Sequence, residues 1–305
     1  MMQRNVQSAY LAAEGFEKQL EQELEGIVDR RERLFLSDQP VQPAFWAQNI
    51  WRNPQVFEIE SINHAARILK SIQRNWSLYS TSHHRRSTLI QEKLPHVSAK
   101  PLVFPATLPK APLGAWTLLD QNLLLASADC SSPFANGEVV FEENRTGPPN
   151  RAYLKLWEAL TLMEALPRQG EFCIDAGGSP GGWAWVLAKT GADVFCVDRA
   201  PLDERVMKLK NVDFEQGNAF NLKPEDFDFV DWLCCDVICY PEKLLGWITP
   251  WVESGKVRHM VVTLKFQGEP DYSVAGRFAG IPNSDLRHLF HNRHELTWMW
   301  KRGND

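Results

Sequence analysis

Apolar and polar positions follow two different patterns along this chain, and the pattern changes near residue 150. Beyond that point, apolar runs of strand length alternate with segments whose apolar residues recur at the helical period. Strands that are apolar on both faces are typical of parallel sheets covered by helices, so this region predicts an α/β fold with a doubly wound, Rossmann-like sheet. The segment before the last strand is predicted to be helical. The predicted strands are residues 172–175, 193–198, 212–218, 230–237, 259–266 and 294–300.

The N-terminal part has shorter apolar runs and two amphipathic segments. One helix is predicted over residues 14–27, and Ser61 is a suitable N-cap for the second. This part has the β-α-β-β-α-β order of a ferredoxin-like α+β domain, a common RNA-binding platform, which we assign to residues 1–145. The Gly- and Pro-containing segment 145–150 predicts a boundary with a catalytic domain over residues 146–305. The N-terminal strands are predicted at residues 7–12, 33–37, 56–59 and 76–80.

The stretch FCIDAGGSPGGW, residues 172–183, predicts a ligand-binding turn between a strand and a helix. An apolar run ends on Asp175, four glycines follow within seven residues, and a second apolar run begins at Trp183. Glycines let the backbone approach a ligand, and free N–H groups at a helix start face it. The spacing differs from G-x-G-x-x-G, and a proline between the glycine pairs suits a ligand without phosphates. We therefore favour S-adenosylmethionine over NAD, with an ordinary glycine-rich loop as the alternative.

Charged residues stand at the predicted carboxyl ends of the parallel strands, where ligands bind in open α/β sheets. Asp198 lies 23 residues after Asp175, where a carboxylate binds ribose hydroxyls in NAD and S-adenosylmethionine sites alike, and a helix cap is the alternative. Lys265 ends an apolar strand, where a lysine either has a function or extends toward solvent. Lys155 and Glu295 complete a possible Lys-Asp-Lys-Glu group. The strand-end residues are Asp175, Asp198, Asp236 and Lys265.

Composition narrows the class of protein. The 305 residues are 44% hydrophobic and 23% charged, and no apolar run approaches the roughly 20 residues that span a bilayer, so we expect a cytoplasmic protein without membrane association. Six cysteines without paired C-x-x-C spacing indicate thiols in a reducing compartment. His288, His291 and His294 recur every three residues, but no Cys or carboxylate set completes a site, so no metal is expected.

Net charge bears on nucleic-acid partners. A net charge of −5 argues against a protein that coats nucleic acid non-specifically, but it leaves room for a basic track. Basic clusters in the N-terminal part are either solvated surface or contacts to RNA. The clusters are Arg30, Arg31 and Arg33, and Arg85 and Arg86 beside His83 and His84.

Five motifs in order carry a resemblance to a known family. They resemble the FtsJ-like 2′-O-ribose RNA methyltransferases, with the closest likeness to the RlmM type, which methylates a cytidine ribose in large-subunit ribosomal RNA. The resemblance covers nearly all of residues 145–305. Near the start, YLAAEGFEK resembles the opening of that type's N-terminal region, which carries a THUMP-type RNA-binding domain. The five motifs are PPNRAYLKLWEAL, DAGGSPGGW, WLCCDV, TLKFQGE and FHNRHELTW.

The resemblance implies functional residues at the matching positions. A catalytic tetrad would consist of Lys155, Asp236, Lys265 and Glu295. Asn218 stands where an aspartate that contacts adenine is often found, and it can still form hydrogen bonds. The implied cofactor is S-adenosylmethionine, and the implied partner is RNA, in particular large-subunit ribosomal RNA. The cofactor site would comprise Asp175, Gly177, Ser179, Pro180, Gly181, Gly182, Trp183, Asp198, Asn218 and Asp236.

The tetrad suits methyl transfer to a hydroxyl. A ribose 2′-hydroxyl is a weak nucleophile and a sulfonium methyl is already activated, so the enzyme must align them and remove a proton. Lys265 would be the base in its neutral form, which burial and the neighbouring cation Lys155 would favour. Asp236 and Glu295 would hold Lys155 charged and orient the pair.

Two other functions stay open. A methyltransferase that acts on a small molecule or a protein would have a closed apolar pocket beside Lys265, whereas an RNA enzyme would have an open basic groove. A non-catalytic RNA-binding or ribosome-assembly protein that retains the fold would not bind the cofactor. An NAD dehydrogenase is disfavoured because a proline interrupts the glycine fingerprint. We expect a monomer.

Overall fold

The computed structural model describes residues 5–98, 100–266 and 272–303. The chain divides into two compact units. One comprises residues 1–102 and 108–140, and the other comprises residues 103–107 and 141–305. No helix within the described residues is both long and apolar enough to cross a membrane.

The N-terminal unit contains two sheets. The first has the strand order β2-β3-β1-β4-β9, and the second has the order β5-β8-β7-β6. Buried tryptophans lie in two core clusters, Trp51 in one and Trp76 with Trp116 in the other. The strands are β1 Ser8–Ala12, β2 Ile27–Arg31, β3 Leu34–Ser37, β4 Ala47–Arg52, β5 Gln55–Glu58, β6 Trp76–Leu78, β7 Gly114–Asp120, β8 Leu123–Ser127 and β9 Asp129–Cys130, and the helices are α1 Glu17–Glu23, α2 Ile62–Ile72 and α3 His84–Gln91.

The predicted ferredoxin-like sheet is not confirmed, because its four strands fall into two sheets. The predicted strands 7–12 and 33–37 correspond to β1 and β3 in the first sheet, whereas 56–59 and 76–80 correspond to β5 and β6 in the second. The intervening strand β4 was not predicted. After it, Asn53 adopts a left-handed φ of 49° and is followed by a proline, so the chain leaves the first sheet.

The first helix is shorter than the sequence predicts. Residues 14–27 were predicted as one helix, but α1 ends at Glu23, and Leu24 has an extended backbone. Gly26 then turns the chain with a φ of 65°, and residues from Ile27 onward pair with β3. The helical period therefore stops before Gly26, where the conformational freedom of glycine allows a turn into β2.

The C-terminal unit contains a seven-stranded sheet in the order β12-β11-β10-β13-β14-β16-β15. Strands β10 to β14 are mutually parallel, and β16 is antiparallel to β14 and to β15. The strands are β10 Phe172–Ala176, β11 Asp193–Asp198, β12 Val212–Gln216, β13 Val230–Cys235, β14 Val257–Lys265, β15 Ser284–Arg287 and β16 Glu295–Lys301. The helices are α4 Tyr153–Leu162, α5 Gly182–Lys189, α6 Glu204–Met207, α7 Pro241–Ser254 and α8 Ser273–Ala279.

The sequence predicted the six main strands of this sheet but not its last edge. The segment before β16 was predicted to be helical, and residues 284–287 instead form β15. Strand order reverses between β10 and β13, since β10 lies next to both β11 and β13. In open α/β sheets the crevice at such a reversal is the ligand site, at the carboxyl ends of the strands. That crevice is where the predicted site residues lie.

Candidate functional site

The turn after β10 brings the backbone close to the segment that follows β13. Gly177 has a φ of 79°, and a Cβ at this position would overlap the side chain of Val237. Gly181 has a φ of 111° and precedes the first residue of α5. Both positions require glycine, one for space and backbone conformation and the other for the sharp entry into the helix. The conformation of the turn therefore depends on glycine at these two positions.

A cavity of about 530 Å³ opens at this turn. Its volume is within the range of small-molecule and cofactor sites. Pro180 and Gly181 are not among its lining residues; the Pro180 carbonyl accepts a hydrogen bond from the Asp203 amide at 2.9 Å. The predicted cofactor residues that line the cavity are Asp175, Gly177, Ser179, Gly182, Trp183, Asp198, Asn218 and Asp236.

Asp198 fixes the glycine turn as well as facing the cavity. Its Oδ2 accepts a hydrogen bond from the backbone N–H of Ser179 at 3.0 Å, and its Oδ1 accepts one from Ala200 at 2.9 Å. Each carboxylate oxygen has a second lone pair, so these bonds leave acceptor capacity for ligand hydroxyls. The helix-cap alternative is wrong, because Asp203 and not Asp198 caps the following helix α6. The free acceptor capacity of Asp198 is compatible with the expected binding of ribose hydroxyls.

Asn218 faces the cavity at the end of β12. Its Oδ1 accepts a hydrogen bond from the Phe220 backbone N–H at 3.3 Å, and its Nδ2 lies 3.4 Å from Asn221 Oδ1. The amide therefore caps the short turn that positions Phe220, another lining residue. Sequence reasoning missed Phe220 because a single phenylalanine in a loop has no distinguishing pattern.

Asp175 is the most deeply buried carboxylate of the cavity. It is 0% exposed, and neither carboxylate oxygen has a hydrogen-bond partner of normal geometry among the described residues. Burial, followed by the negative charge of Asp236, raises its pKa from 3.8 to about 7, although the nearby Ala184 amide acts in the opposite direction. A buried carboxylate with unused acceptors can receive a donor or a cation from a bound ligand.

The four predicted catalytic residues form one connected cluster. Lys155 Nζ lies 3.0 and 3.1 Å from the two Asp236 carboxylate oxygens and 2.6 Å from Glu295 Oε1. Lys265 Nζ lies 2.9 Å from Asp236 Oδ1 and donates to the Asp236 backbone carbonyl at 2.6 Å. Asp236 is therefore the shared partner of both lysines.

The four side chains of this cluster come from three secondary-structure elements and from the residue that follows a fourth. Lys155 lies on α4, and Asp236 directly follows β13. Lys265 ends β14 and is paired in register with Glu295, which begins the antiparallel strand β16. Residues opposite each other on neighbouring strands have adjacent side chains, so this pairing fixes the fourth member of the cluster.

The two lysines of the cluster differ in how deeply they are buried. The Lys155 side chain is 6% exposed, whereas the Lys265 side chain is 19% exposed and lines the cavity. Burial alone would raise the pKa of Asp236, but the positive charges of Lys155 and Lys265 outweigh burial and hold that pKa below its usual range. The cluster thus holds an ionised carboxylate between one buried cation and one that faces the cavity.

Thr263 is a fifth member that sequence reasoning missed. Its Oγ1 donates a hydrogen bond to Asp236 Oδ1 at 2.6 Å, and this bond also lowers the pKa of that carboxyl. Thr263 precedes Lys265 by two residues on β14, so the two side chains point to the same face of the sheet. The alternation of side chains along a strand is therefore the sequence feature that could have identified Thr263.

Glu158 was also missed. It lies one helical turn after Lys155 on α4, is 2% exposed, and accepts hydrogen bonds from the backbone N–H groups of Phe290 at 2.8 Å and His291 at 3.0 Å. Its Oε2 is also 2.7 Å from His291 Nδ1. Glu158 therefore holds the turn that leads into Glu295. The sequence feature that could have identified Glu158 is its position three residues after Lys155 on a predicted helix.

The three histidines contact different groups. His288 Nε2 lies 2.9 Å from the Arg293 carbonyl, and burial lowers the pKa of His288 to about 4. His291 contacts Glu158, and His294 Nε2 lies 3.4 Å from the Tyr272 hydroxyl. In residues 5–98, 100–266 and 272–303, no group of three His, Cys, Asp or Glu side chains is placed to hold a metal ion. Residues 267–269 of the TLKFQGE motif lie outside the described residues.

Comparison with known proteins identifies relatives of this chain. Residues 148–249 match the model of the FtsJ-like methyltransferase family. The chain is 33% identical over 165 residues to "Ribosomal RNA large subunit methyltransferase M" of Azoarcus sp. (strain BH72), covering 49% of this chain and 45% of that protein. The protein of the same name from Xanthomonas campestris is 31% identical over 207 residues, covering 60% and 56%. The resemblance inferred from the motifs is thereby confirmed.

The matched region is only part of each relative. The chain spans about half the length of the curated relatives it matches. Among solved structures, a hemolysin candidate from Lactococcus lactis has a TM-score of 0.41 at 20% identity, covering 51% of this chain and 89% of that one. A Methanococcus jannaschii fibrillarin pre-rRNA processing protein has a TM-score of 0.37 at 15% identity, covering 51% and 77%. These scores are too low to support a conclusion about this chain.

Proposed function

We propose, from the match of residues 148–249 to FtsJ-like methyltransferases, that the chain transfers a methyl group from S-adenosylmethionine to a ribose 2′-hydroxyl of RNA. Large-subunit ribosomal RNA is the proposed substrate, in keeping with the names of the relatives. One observation carries the proposal. Lys265 faces the cavity while its partner Asp236 is held by the buried cation Lys155.

The residues around the cavity fit S-adenosylmethionine. Asp198 has acceptor capacity for ribose hydroxyls, and the glycine turn leaves the backbone accessible to a ligand. Asp175 offers buried carboxylate oxygens that have no hydrogen-bond partner of normal geometry among the described residues, and a cationic ligand would satisfy them. Asn218 can form a hydrogen bond with a base. When bound, S-adenosylmethionine supplies a methyl group already activated by its sulfonium sulfur.

Each member of the tetrad has a proposed role. Lys265 first releases its own proton to solvent through the cavity that it lines, and its neutral Nζ then accepts the proton of the 2′-hydroxyl. Asp236 and Glu295 both contact the Nζ of Lys155 and hold it in place. Thr263 and Lys155 fix the orientation of the Asp236 carboxylate, which in turn positions Lys265. Lys265 is thus the catalytic base and the other residues orient it.

We also propose that the N-terminal unit, residues 1–102 and 108–140, helps to hold the RNA. A ferredoxin-like or THUMP-type assignment for this unit is part of that proposal and draws on the motif YLAAEGFEK near the start. Exposed Arg30 and Arg85 supply positive charge for phosphate contacts. We also propose that the protein is a cytoplasmic monomer that needs no metal. Light scattering tests the monomeric state, and assays in the presence of a chelator test the absence of a metal requirement.

Replacement of Lys265 tests the proposed reaction. With large-subunit ribosomal RNA from cells lacking this protein and labelled S-adenosylmethionine, we expect Lys265→Ala to reduce kcat by at least about 10²-fold, since general-base catalysis typically contributes that much. Cofactor affinity, measured by calorimetry, should change little. Lys208→Ala, at an exposed lysine on the surface of the same unit, is the control and should transfer methyl groups normally.

Different outcomes discriminate between the possible functions. A Lys265→Ala protein that methylates RNA at the wild-type rate would refute the role of Lys265. A wild-type protein that binds the cofactor but methylates only a small molecule or protein would favour that alternative. Absence of cofactor binding would favour a non-catalytic RNA-binding protein.

A further inference from the structure

Two large apolar side chains are exposed directly beside the cavity. Ile238 is 72% exposed and Tyr240 is 67% exposed, and both lie in the segment that follows Asp236. Ile238 lines the cavity. Exposed apolar side chains are common when single, but two within three residues at the edge of a ligand site indicate a contact surface.

The backbone of this segment is held at both ends. Val237 packs against Gly177, where even a Cβ would overlap it. The Tyr240 carbonyl accepts a hydrogen bond from the Leu244 amide at 3.2 Å, and Pro241 follows as the first residue of α7. Residues before proline are restricted to extended conformations, and Tyr240 has φ −67° and ψ 135°. The exposed side chains therefore extend from a fixed backbone.

Positive charge flanks the two exposed side chains. Lys243 is exposed on the first turn of α7, lines the cavity, and has its Nζ 4.4 Å from the centroid of the Phe220 ring. The neighbouring carboxylate of Glu242 is paired with Arg277 at 2.7 Å, which reduces its repulsion of an anionic ligand. Ile238, Lys243 and Lys265 line the same cavity, so the exposed apolar segment lies close to a cation and to the proposed base. This combination suits a phosphate backbone with an unstacked base.

We propose that Ile238 and Tyr240 form a platform on which an unpaired nucleobase stacks, next to the ribose to be methylated. The proposal rests on the proposed function and narrows its substrate to RNA that is single-stranded at the target. Bases in a duplex are stacked on each other, so they cannot also stack on Tyr240. Stacking on the platform would hold the adjoining ribose near Lys265, and Lys243 would contact a phosphate.

Tyr240 variants test the platform directly. With large-subunit ribosomal RNA from cells lacking this protein, Tyr240→Ala should lower kcat/KM for RNA roughly tenfold, mainly through KM, since a base loses its stacking partner. Tyr240→Phe keeps the ring and should resemble the wild type. Val103→Ala, at a side chain of the same unit with 67% exposure, is the matched control and should have no effect. Cofactor affinity and Tm should be unchanged in all three variants.

The outcomes separate this inference from the proposed function. If the wild-type protein methylates RNA and Tyr240→Ala does so with the same kcat/KM, the platform is wrong while the proposed function stands. If the wild-type protein does not methylate RNA, the proposed function fails and the platform fails with it. If Tyr240→Ala loses cofactor affinity or Tm as much as RNA methylation, the residue has a structural role instead.

A duplex substrate gives an independent test. Once the methylated ribose is mapped, a fragment containing it is offered as a single strand and after annealing to a complementary strand. We expect the single strand to be methylated and the duplex to react at least about tenfold more slowly, because the base can no longer reach Tyr240. Equal rates on both substrates would overturn the platform.

Discussion

At the scale of single residues, Asp175 differs from the other carboxylates of the site because it is buried without a hydrogen-bond partner of normal geometry among the described residues. The carboxylate of Asp236 contacts Lys155, Thr263 and Lys265, and that of Asp198 accepts two backbone hydrogen bonds. The pKa of Asp175 is accordingly raised to about 7, mainly by burial, whereas that of Asp236 is lowered. Asp175 and Asp236 therefore have opposite effects on stability as pH changes.

Asp175→Asn should stabilise the cofactor-free protein above about pH 7. Between pH 4 and 7 the folded state keeps a proton on Asp175 that the unfolded chain releases, so the free energy of unfolding falls as pH rises through this range. Asparagine does not titrate and avoids this loss. At pH 8 we expect the Tm of Asp175→Asn to exceed that of the wild type, by roughly 2–4 °C for each kcal/mol of unfolding free energy gained. At pH 4 we expect little difference in Tm.

Calorimetric scans at both pH values check this expectation, with Asp213→Asn at an exposed strand position as the control. The same Asp175→Asn variant should bind S-adenosylmethionine more weakly, because it offers no charge to a cationic ligand. A variant that loses stability equally at pH 4 and pH 8 would show that Asp175 has a packing role instead.

The positions of site residues were predictable where strand ends identify them. Asp175, Asp236 and Lys265 end apolar runs, and the carboxyl ends of such parallel strands share the edge of the sheet where ligands bind. Thr263 and Glu158 were missed because a threonine inside an apolar strand and a glutamate on a helix have many ordinary explanations. Their importance depends on contacts to Asp236 and to residues 290–291 that sequence spacing does not reveal.

At the scale of secondary-structure elements, the turn after β10 and the segment after β13 fit together through Gly177. Gly177→Ala should weaken cofactor binding more than about tenfold, because the added methyl group overlaps Val237 and the φ of 79° is unfavourable for alanine. Gly170→Ala is a matched control, since Gly170 has a φ of 77° but open space around it.

Calorimetry with S-adenosylmethionine measures the difference between the two glycine variants. Because Gly170 lies outside the cavity lining, Gly170→Ala should leave cofactor affinity unchanged. A loss found only in Gly177→Ala then reports the combined effect of the strained φ and the overlap with Val237 at the turn. Equal cofactor affinities for the two variants would contradict the close approach of the two segments.

Glu158 links α4 to the turn before β16. In Glu158→Gln, the amide N–H₂ would face a backbone N–H or the His291 ring, so the turn that leads into Glu295 should shift. We expect kcat to fall by roughly tenfold while cofactor affinity and KM for RNA stay within about twofold, since losing one buried hydrogen bond is worth on the order of 1 kcal/mol.

Glu164→Gln, at an exposed position after the same helix, is the control for Glu158. A variant at Glu158 that loses Tm but keeps kcat would indicate that Glu158 stabilises the fold without positioning Glu295.

Helices and strands were predictable where the local pattern of apolar and polar residues determines them. Four of the five parallel strands, β10, β11, β13 and β14, are largely buried on both faces, and this property depends on their position between neighbouring strands and helices. The fifth strand, β12, lies at the edge of the sheet and has three exposed polar residues. The edge strand β15, Ser284–Arg287, is short and polar, and only its pairing with β16 makes it a strand. Likewise, residues 27–31 form β2 because they pair with β3, although their sequence also suits the end of a helix.

At the scale of the whole molecule, the separation of the N-terminal strands into two sheets could not be predicted. The order of strands and helices was compatible with one ferredoxin-like sheet, but β7 and β8 pair with β5 and β6 across a long sequence separation. Such pairings are selected by packing around Trp76 and Trp116 rather than by local sequence.

The arginines in the basic clusters of the N-terminal unit differ in their contacts and exposure, which the sequence could not show. Arg31 is paired with Asp29, and Arg33 donates a hydrogen bond to the Ala12 carbonyl at 3.0 Å. Arg30 and Arg85 are exposed, and Arg30 Nε also donates a hydrogen bond to the Glu32 carbonyl at 2.8 Å. We propose that these two exposed arginines are the ones that contact phosphates.

Full-length Arg30→Ala/Arg85→Ala protein should bind RNA more weakly. We expect KM for ribosomal RNA to rise and the slope of log KM against log salt concentration to decrease by roughly 1–2, as two phosphate contacts are lost. The control Lys18→Ala/Lys70→Ala removes the same charge at exposed positions outside the clusters. An equal response of the two double variants would contradict a specific contact by Arg30 and Arg85.

The most direct test of the central claim is a map of 2′-O-methylation in ribosomal RNA from cells with and without this protein. We predict that one ribose in large-subunit RNA loses its methyl group without the protein, and that the wild-type chain, but not Lys265→Ala, restores it. An unchanged methylation map, or full restoration by Lys265→Ala, would contradict the account.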